Sequence, residues 1–586
     1  GAGTTIKGLV RDLLELSSQL PGGMDDVRVA RGQADASALA DAYRAALGAS
    51  KATTEKAQVA LDAIDAFEAS GKTMEDAARL MMSCSMPRAS KAFPKEQVEL
   101  LKAEAADAFI NIVLACGGPA VDALVGLARA VEAEYRALKA GQSALDNNDL
   151  LRMAYEALRD YPAIRAAYEG RFKMVMIDEF QDTDQMQVDL IRYLTGEGER
   201  ALCTVGDAQQ SIYRFRGAKP EIMLRFEREI PGTKTVLLDT NYRSQANIVE
   251  DALNLIGHNK ERFQKRIRAA LPAETGVEYA VFEDQRKENL RIIRDICDAV
   301  ERGKSYRDFA VLFRTNTQPR LLMEQMMEYN IPFRTRDRIP NLYEHWIARD
   351  IFAYIRIAQG SRERRDFLQI MNRPKRYISR DSLDEDTVAF DVWEWYFREA
   401  EQPWVAERIV TLEHDVMQLR RMNPFAAINY IRKGIGYDEF CAEYADYRRI
   451  RADELYDVLD ELQESARGYE DYDGWFAHIE NYTRELERLY QSQEKQSESV
   501  ALSTLHSAKG LEYENVYLID VNEGVMPYKK AVLDQDIEEE RRMFYVGMTR
   551  AKKYLHLFSV KQMNQKDADI SRFIAEAGER LSPPCR

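Results

Sequence analysis

Short apolar runs that do not alternate with polar residues constrain this chain more than any other feature. KMVMI (173–177), ALCTV (201–205), TVLL (235–238), YAVF (279–282) and FAVLF (309–313) follow one another, and VALST (500–504), NVYLI (515–519) and YLHLF (554–558) resume near the C-terminus. A strand apolar on both faces needs cover on both, which is the condition of a parallel sheet flanked by helices. Residues 1–145, rich in Ala, Leu, Glu and Lys at helical spacing, read as one helical block. Residues 339–496, with long charged helices and the aromatic cluster DVWEWYF, read as another. The expected architecture is α/β, with the second helical block inserted into the sheet-forming sequence.

A chain of 586 residues is too long for one hydrophobic core and is expected to divide into domains. No apolar run approaches the ~20 residues that would span a bilayer, and the N-terminus has no basic segment followed by an apolar core. A soluble, cytoplasmic protein with no membrane partner is expected. The six cysteines, Cys84, Cys116, Cys203, Cys297, Cys441 and Cys585, lie far apart with no C-x-x-C pair, which argues against zinc, iron–sulfur and a disulfide framework. A net charge of −15 is unlike the usual footprint of a nucleic-acid binder, but net charge does not describe a groove.

The chemistry is concentrated where apolar runs end. KMVMI leads into DEFQDT, which sets Asp178 and Glu179 at the carboxyl edge of a parallel strand, where α/β sheets bind ligands. There Asp178 suits Mg²⁺ and Glu179 suits the water that attacks a γ-phosphate. A strand end with solvated acids is the plain alternative. The run ALCTV continues into GDAQQSIYRFRGA, whose Gly206-Asp207 turn lets Gln210 face a nucleotide across the same edge. Tyr213, Arg214, Phe215 and Arg216 alternate rings and cations, a combination that stacks bases and holds phosphates of single-stranded nucleic acid. LDTNYRSQANI places Arg243 at the start of a helix, and ALSTLHSAKGLEYENVYLIDVNEG and EEERRMFYVGMTRAKKYL complete the set. A P-loop kinase or GTPase leaves the YRFRGA and STLHSAKGLE stretches unexplained.

Together these stretches resemble the motor motifs of superfamily 1 DNA helicases of the UvrD/Rep type, and the AddA/RecB branch is similar too. The resemblance covers about residues 145–575. It implies RecA-like P-loop NTPase motor domains, parallel sheets flanked by helices, with large helical insertions. The implied domains are a first insertion over 1–145 and a partial first motor domain over 146–238. The second motor domain takes 239–338 and 497–586, and the second insertion 339–496. ATP and Mg²⁺ are the implied cofactors. Asp178 would hold the metal, Glu179 activate water, Gln210 sense the γ-phosphate, Arg243 and Arg550 act as arginine fingers, and Glu512 lie near the ribose. Tyr213, Phe215 and Arg216 are implied at the DNA junction, and Thr504, His506 and Lys509 near DNA or the domain interface. FAVLFRTNTQPRLLMEQMMEYNIPFR resembles the segment entering the second insertion, with Arg314 and Asn316 at polar positions. NRPKRYISR resembles its duplex-contacting turn, where Arg373, Lys375, Arg376 and Arg380 would form a basic patch; a solvated charge run is the alternative. ALDNNDLLRMA resembles the LDFDDLL helix, with Asn147 and Asn148 replacing Phe-Asp. Implied partners are single-stranded DNA, single/double-strand junctions and a nuclease or repair subunit, with 3′–5′ movement in DNA repair or recombination. SRFIAEAG resembles the family's closing segment.

The departure is an absence. No G-x-x-x-x-G-K-[ST] phosphate loop occurs in the sequence. SGKT at 70–73 has Ala66 at the first glycine position and sits in a helical context, and GAGTT at the N-terminus runs into Ile6, Lys7 and Gly8. The expectation is a truncated form or natural fragment of a longer helicase, with little ATPase alone. The alternative is a non-catalytic DNA-binding or scaffold subunit derived from a helicase.

Overall fold

The computed structural model describes residues 6–578 apart from 19, 21–22, 30, 88, 90, 170, 197–200, 261, 263–265, 449, 493–497 and 565. The GAGTT stretch and Cys585 lie outside the described residues. The chain forms two compact units, Thr4–Met174 with Asp184–Ala201, and Val175–Thr183 with the chain from Leu202 onward.

The first unit is helical, and its helix starts are written in local polar chemistry. Ser50 caps Lys51–Glu68 by accepting from the Thr53 N–H, and Asp146 and Asp149 form a capping box at the head of Asn147–Asp160. Lys139 bridges both of those acids, at 2.8 Å from Asp146 and 2.5 Å from Asp149. One core gathers Leu39, Tyr43, Ile64, Phe67, Leu80, Leu101 and Ile112. SGKT is a turn between two helices: Lys72 binds the Ala34 carbonyl and Glu68, each at 2.6 Å, and Thr73 caps Met74–Ser83. Those groups are used in holding helix ends. No single helix among the described residues is long and apolar enough to cross a membrane.

The second unit carries the strands. β1 (Met174–Ile177) and β2 (Ala201–Thr204) make a two-stranded sheet, and β3 (Thr240–Gln245) pairs in parallel with β4 (Arg268–Leu271). The large sheet contains β5 (Val277–Asp284), β6 (Phe309–Phe313), β7 (Phe333–Thr335), β8 (Val500–Thr504), β9 (Tyr513–Leu518), β10 (Ala551–Met563) and β11 (Lys566–Asp567). Its order is β11-β10-β9-β6-β8-β7 with β5 also on β10, and every pairing is parallel except β10 with β11. Phe333 faces Val500 although the whole stretch 339–496 lies between them in sequence, so the helical block is inserted between neighbouring strands.

The unbroken run FAVLF has a simple cause. Phe309, Val311 and Phe313 join the core beneath the inserted helices with Leu502, Tyr517, Ile351, Leu412 and Trp475. Ala310 and Leu312 point to the opposite face with Val516, Leu518, Ile248, Leu255 and Phe544. All five residues of β6 are therefore buried.

Two readings of the sequence are corrected. TVLL forms no strand, and Val236 and Leu238 are each 79% exposed. KMVMI is a strand but an open one, with Met176 71% exposed. Among the described residues β1 and β2 have only each other as neighbours, so nothing covers the outer face and no ladder takes up the TVLL backbone.

Candidate functional site

The turn after β1 sorts its side chains by face. Glu179 holds a left-handed backbone, φ 52°, followed by a single 3-10 turn over Phe180–Asp182. Phe180 turns inward and meets Phe226 edge to face at 5.3 Å, while Asp178 and Glu179 emerge exposed. The Glu179 N–H donates to Asp178 Oδ1 at 2.9 Å. Gln181 is buried and ties this turn to the one after β2: its Oε1 accepts from the Asp207 N–H at 2.9 Å, and its carbonyl accepts from the Ser211 hydroxyl at 3.0 Å. Gly206 permits that approach, since a Cβ there would lie 2.3 Å from Gln181 Oε1. Gln210 is anchored in turn, its Nε2 donating to Asp207 Oδ2 at 3.1 Å.

Lys509 joins the two turns. Its amine contacts Asp182, lies 3.2 Å from Glu179 Oε2, and donates to the Gln210 carbonyl at 3.0 Å. Its side chain is only 7% exposed. Burial raises the Asp182 carboxyl, and Lys509 opposes that rise without cancelling it. Lys509 was expected near DNA or the domain interface; here its buried ammonium is paired with acids of the turn after β1.

Arg243 sits in β3, three residues ahead of the helix Ala246–Ile256, rather than at a helix start. Its Nε donates to Glu512 at 2.7 Å, and Lys552 reaches the other Glu512 oxygen at 2.7 Å. Lys552 and Arg243 together hold the Glu512 carboxyl below its usual range. Arg550 is 2% exposed and turned inward, donating to the carbonyls of Val546 and Leu511 and to the Thr549 hydroxyl. Burial, then the charge of Arg243, brings its guanidinium down to about 10. Gln210, Arg243 and Glu512 line a cleft of about 1660 Å³ that also exposes Tyr242, Arg334, Arg336 and Lys552. Its lining also holds Glu274, Asp308 and Glu514, so its basic groups outnumber its acids only modestly, an excess that suits a polyphosphate.

The rings of the YRFRGA stretch cluster beside these groups. Phe215, 57% exposed, meets His506 edge to face at 5.4 Å, Tyr213 lies 6.0 Å from Phe215, and Arg216 covers both rings at 5.2 and 5.4 Å. Burial and the charges of Arg314 and Arg216 push His506 down to about 4, so it is neutral at pH 7. Thr504 is fixed by Asp337, which accepts from both its N–H and its hydroxyl at 2.9 Å.

Arg314, expected at the DNA, makes a forked pair with Glu540, closest at 2.7 Å, and Asn316 Oδ1 is buried without a hydrogen-bond partner. The basic patch around residue 375 is corrected as well. Arg376 is buried on the carbonyls of Ile370 and Pro374 and on the Tyr354 hydroxyl, and Arg373 pairs with the fully buried Asp350. Of the four, Lys375 and Arg380 remain exposed. Sequence reasoning passed over Asp182, Lys552 and Tyr242 and took Asp207 only as a turn residue; the second aspartate of DEFQDT and the tyrosine beside Arg243 were the available signals.

For a nucleotide and its metal, the residues fit. Among the described residues no three His, Cys, Asp or Glu groups converge on a metal-sized site. Mg²⁺ is commonly held by one or two carboxylates plus substrate phosphates. Asp178, exposed at a strand end, is such a carboxylate.

Residues 41–231 match the UvrD/REP helicase N-terminal domain, and residues 236–562 match the UvrD-like helicase C-terminal domain. The chain is 28% identical over 463 residues to YjcD of Bacillus subtilis, covering 77% of this chain and 60% of that protein. It is 29% identical over 469 residues to the ATP-dependent DNA helicase PcrA of Staphylococcus epidermidis, covering 76% and 64%. With PcrA of Leuconostoc citreum it shares 31% over 467 residues, covering 76% and 62%. The chain thus spans about three fifths of the length of the curated relatives it matches.

Proposed function

The chain belongs to the UvrD-like helicases, and from that premise we propose that it is the greater part of an ATP-driven motor on single-stranded DNA. One observation carries the reading: the Lys509 amine touches Asp182, Glu179 and the Gln210 carbonyl while lying 5.3 Å over the Tyr213 ring. A single side chain thereby links the nucleotide-facing acids to the aromatic patch. Bound Mg-ATP would supply the phosphoryl bond whose hydrolysis drives movement. Asp178 would hold the metal, and Glu179 would take the proton of a water attacking the terminal phosphate. Gln210, hydrogen-bonded to Asp207, would sense that phosphate. Arg243, now paired with Glu512, would turn to the phosphates, and the buried Arg550 would support it by adding positive charge nearby. Tyr242, 77% exposed in the cleft, would offer its ring face to the adenine. Tyr213, Phe215 and Arg216 stack and hold the strand. Stepping 3′ to 5′, work at strand junctions, a role in repair or recombination with a nuclease or repair subunit, and a cytoplasmic setting complete the proposal, supported by the family resemblance.

The second reading is a DNA-binding scaffold that retains the motor shape. ATP hydrolysis with and without oligo-dT separates the two, on this chain and on a form extended upstream through such a loop. DNA-stimulated turnover in the extended form alone supports the motor. Absence of turnover in both supports the scaffold.

A further inference from the structure

Buried polar atoms without partners gather in one place. Among the described residues twelve such side-chain atoms occur. Four of them, Arg286 Nε, Gln325 Oε1, His478 Nε2 and the Tyr482 hydroxyl, belong to residues that line a single cavity of about 490 Å³. A buried donor or acceptor left unmet costs its full desolvation, so several around one open space mark a place that an occupant completes. The cavity lies where the helices Gln285–Glu301 and Arg320–Glu328 meet the inserted block, at the turn after Ala452–Ser465 and the helix Tyr472–Ser492. Gln325 and Tyr482 are 6% and 1% exposed, whereas Glu328 and Asn481 are exposed at its mouth. Its size falls in the range of roughly 300–1,000 Å³ common to small-molecule sites. None of these residues lines the cleft of Arg243 and Lys552.

The charges around this space have a definite ratio. Glu324 is buried; one of its oxygens accepts from the Tyr343 hydroxyl at 2.9 Å, and the other lies 3.6 Å from His478 Nε2, beyond hydrogen-bonding distance. Glu328 follows one helical turn later on the same face. Arg286 has no ion-pair partner among the described residues, whereas Arg467 at the rim is taken by Glu464 at 2.7 Å. Burial, then Glu324 and Glu328, push the Tyr469 hydroxyl up to about 12 against the opposing charge of Arg286, so all three charges act on one spot. Burial likewise raises the Tyr482 hydroxyl well above its usual range and keeps it a donor at neutral pH. Two carboxylates and one unpaired guanidinium complement a molecule with two cationic groups and one carboxylate. We propose that the cavity binds a basic α-amino acid. Its carboxylate meets Arg286 and the Tyr482 hydroxyl, its α-ammonium meets Glu324 and the Gln325 side-chain carbonyl, and its side-chain cation meets Glu328. Such an occupant bridges the inserted block and the helices that flank the large sheet.

Saturation-transfer NMR and calorimetric titration of the full chain with L-lysine and L-arginine test this. At least one is expected to bind with Kd below about 1 mM. Cadaverine, which is lysine without its carboxylate, and 6-aminohexanoate, which is lysine without its α-ammonium, should each bind at least about ten-fold more weakly. Tyr482→Phe keeps the ring that packs edge to face on Tyr343 at 5.6 Å, and it and Gln325→Met should each lower L-lysine or L-arginine affinity about ten-fold with little change in thermal midpoint. Arg286→Gln should erase the preference for L-lysine over cadaverine. No binding of either amino acid up to about 10 mM would mean that water alone fills the cavity, and would overturn the site. Cadaverine binding the wild-type chain as tightly as L-lysine would overturn the carboxylate contact and with it the ligand class. Affinity unchanged in both Tyr482→Phe and Gln325→Met would place the ligand elsewhere and overturn the assignment.

Discussion

Lys509 is the residue on which most of the site depends, because its buried amine pairs with the largely buried Asp182 and also reaches the exposed Glu179. Lys509→Ala leaves Asp182 without its counter-charge. Removing one partner of such a pair costs on the order of 3 kcal/mol, discounted here to about 2 because Glu179 is half exposed. The urea midpoint should fall accordingly, and adding Asp182→Asn should recover most of the loss; an unrecovered double variant would refute the pairing argument. His506 works in the opposite sense. Its folded pKa of about 4 lies below the ordinary 6.5, so its stability is complete above pH 6.5 and is lost as pH falls toward 4. The loss is roughly 2 kcal/mol by pH 5. His506→Gln should flatten that part of the stability profile, measured by urea unfolding at pH 7 and pH 5, and an unaltered slope would exclude the ring as its source.

Between elements, close approach decides what each position tolerates. Gly206 ends the run after β2 where the Gln181 amide passes, so Gly206→Ala must displace Oε1 from the Asp207 N–H. A loss of about 1–3 kcal/mol is expected, together with weaker nucleotide-dependent DNA affinity in the form extended through a phosphate loop. Wild-type stability in thermal unfolding would show that the amide simply moves aside. At the end of β9 a different constraint operates. Asp520, buried with φ 52°, accepts from the side-chain amides of Gln285 at 2.9 Å and Gln318 at 3.1 Å, and its N–H donates to Glu288 Oε1 at 3.1 Å. Burial pushes Asp520 up to about 6, and burial together with Asp520 pushes Glu288 well above its usual range. An acid whose folded pKa is raised stabilises most below its unfolded value, so this contribution is lost as pH rises from about 4 through 6. Glu288→Gln keeps the bond from the Asp520 N–H without needing a proton, and should raise stability at pH 8 by about 1–3 kcal/mol relative to pH 5. Equal pH slopes for wild type and variant would dismiss the pair.

For the molecule as a whole, charge is arranged rather than abundant. The chain carries 97 acidic and 82 basic residues, yet the cleft lined by Arg243 and Lys552 and the aromatic clusters at Tyr213 and Tyr377 present cations. Oligo-dT affinity should therefore fall about ten-fold or more between about 50 and 200 mM salt, since each phosphate contact releases counterions; affinity indifferent to salt would exclude a phosphate track. Much of this organisation was legible in one dimension. FAVLF, VALST and NVYLI announced strands covered on both faces because β alternation alone allows no other burial for them, and DEFQDT, QSIYRFRGA and NYRS carry their chemistry in contiguous residues. TVLL was misread because an apolar run says nothing about whether a neighbouring strand exists to pair with it. The arginines of NRPKRYISR were misread for a related reason: a guanidinium is basic in any sequence, and only the fold turned Arg376 onto carbonyls and Arg373 onto Asp350. The sequence by itself determined the strands of the large sheet's core, the acids at strand ends and the family, all properties of short-range pattern. Tertiary structure alone decided that Lys509 meets Asp182 across 327 residues, that Arg550 lies buried, and that Tyr377 meets Trp404, because a partner at long sequence separation is chosen by packing.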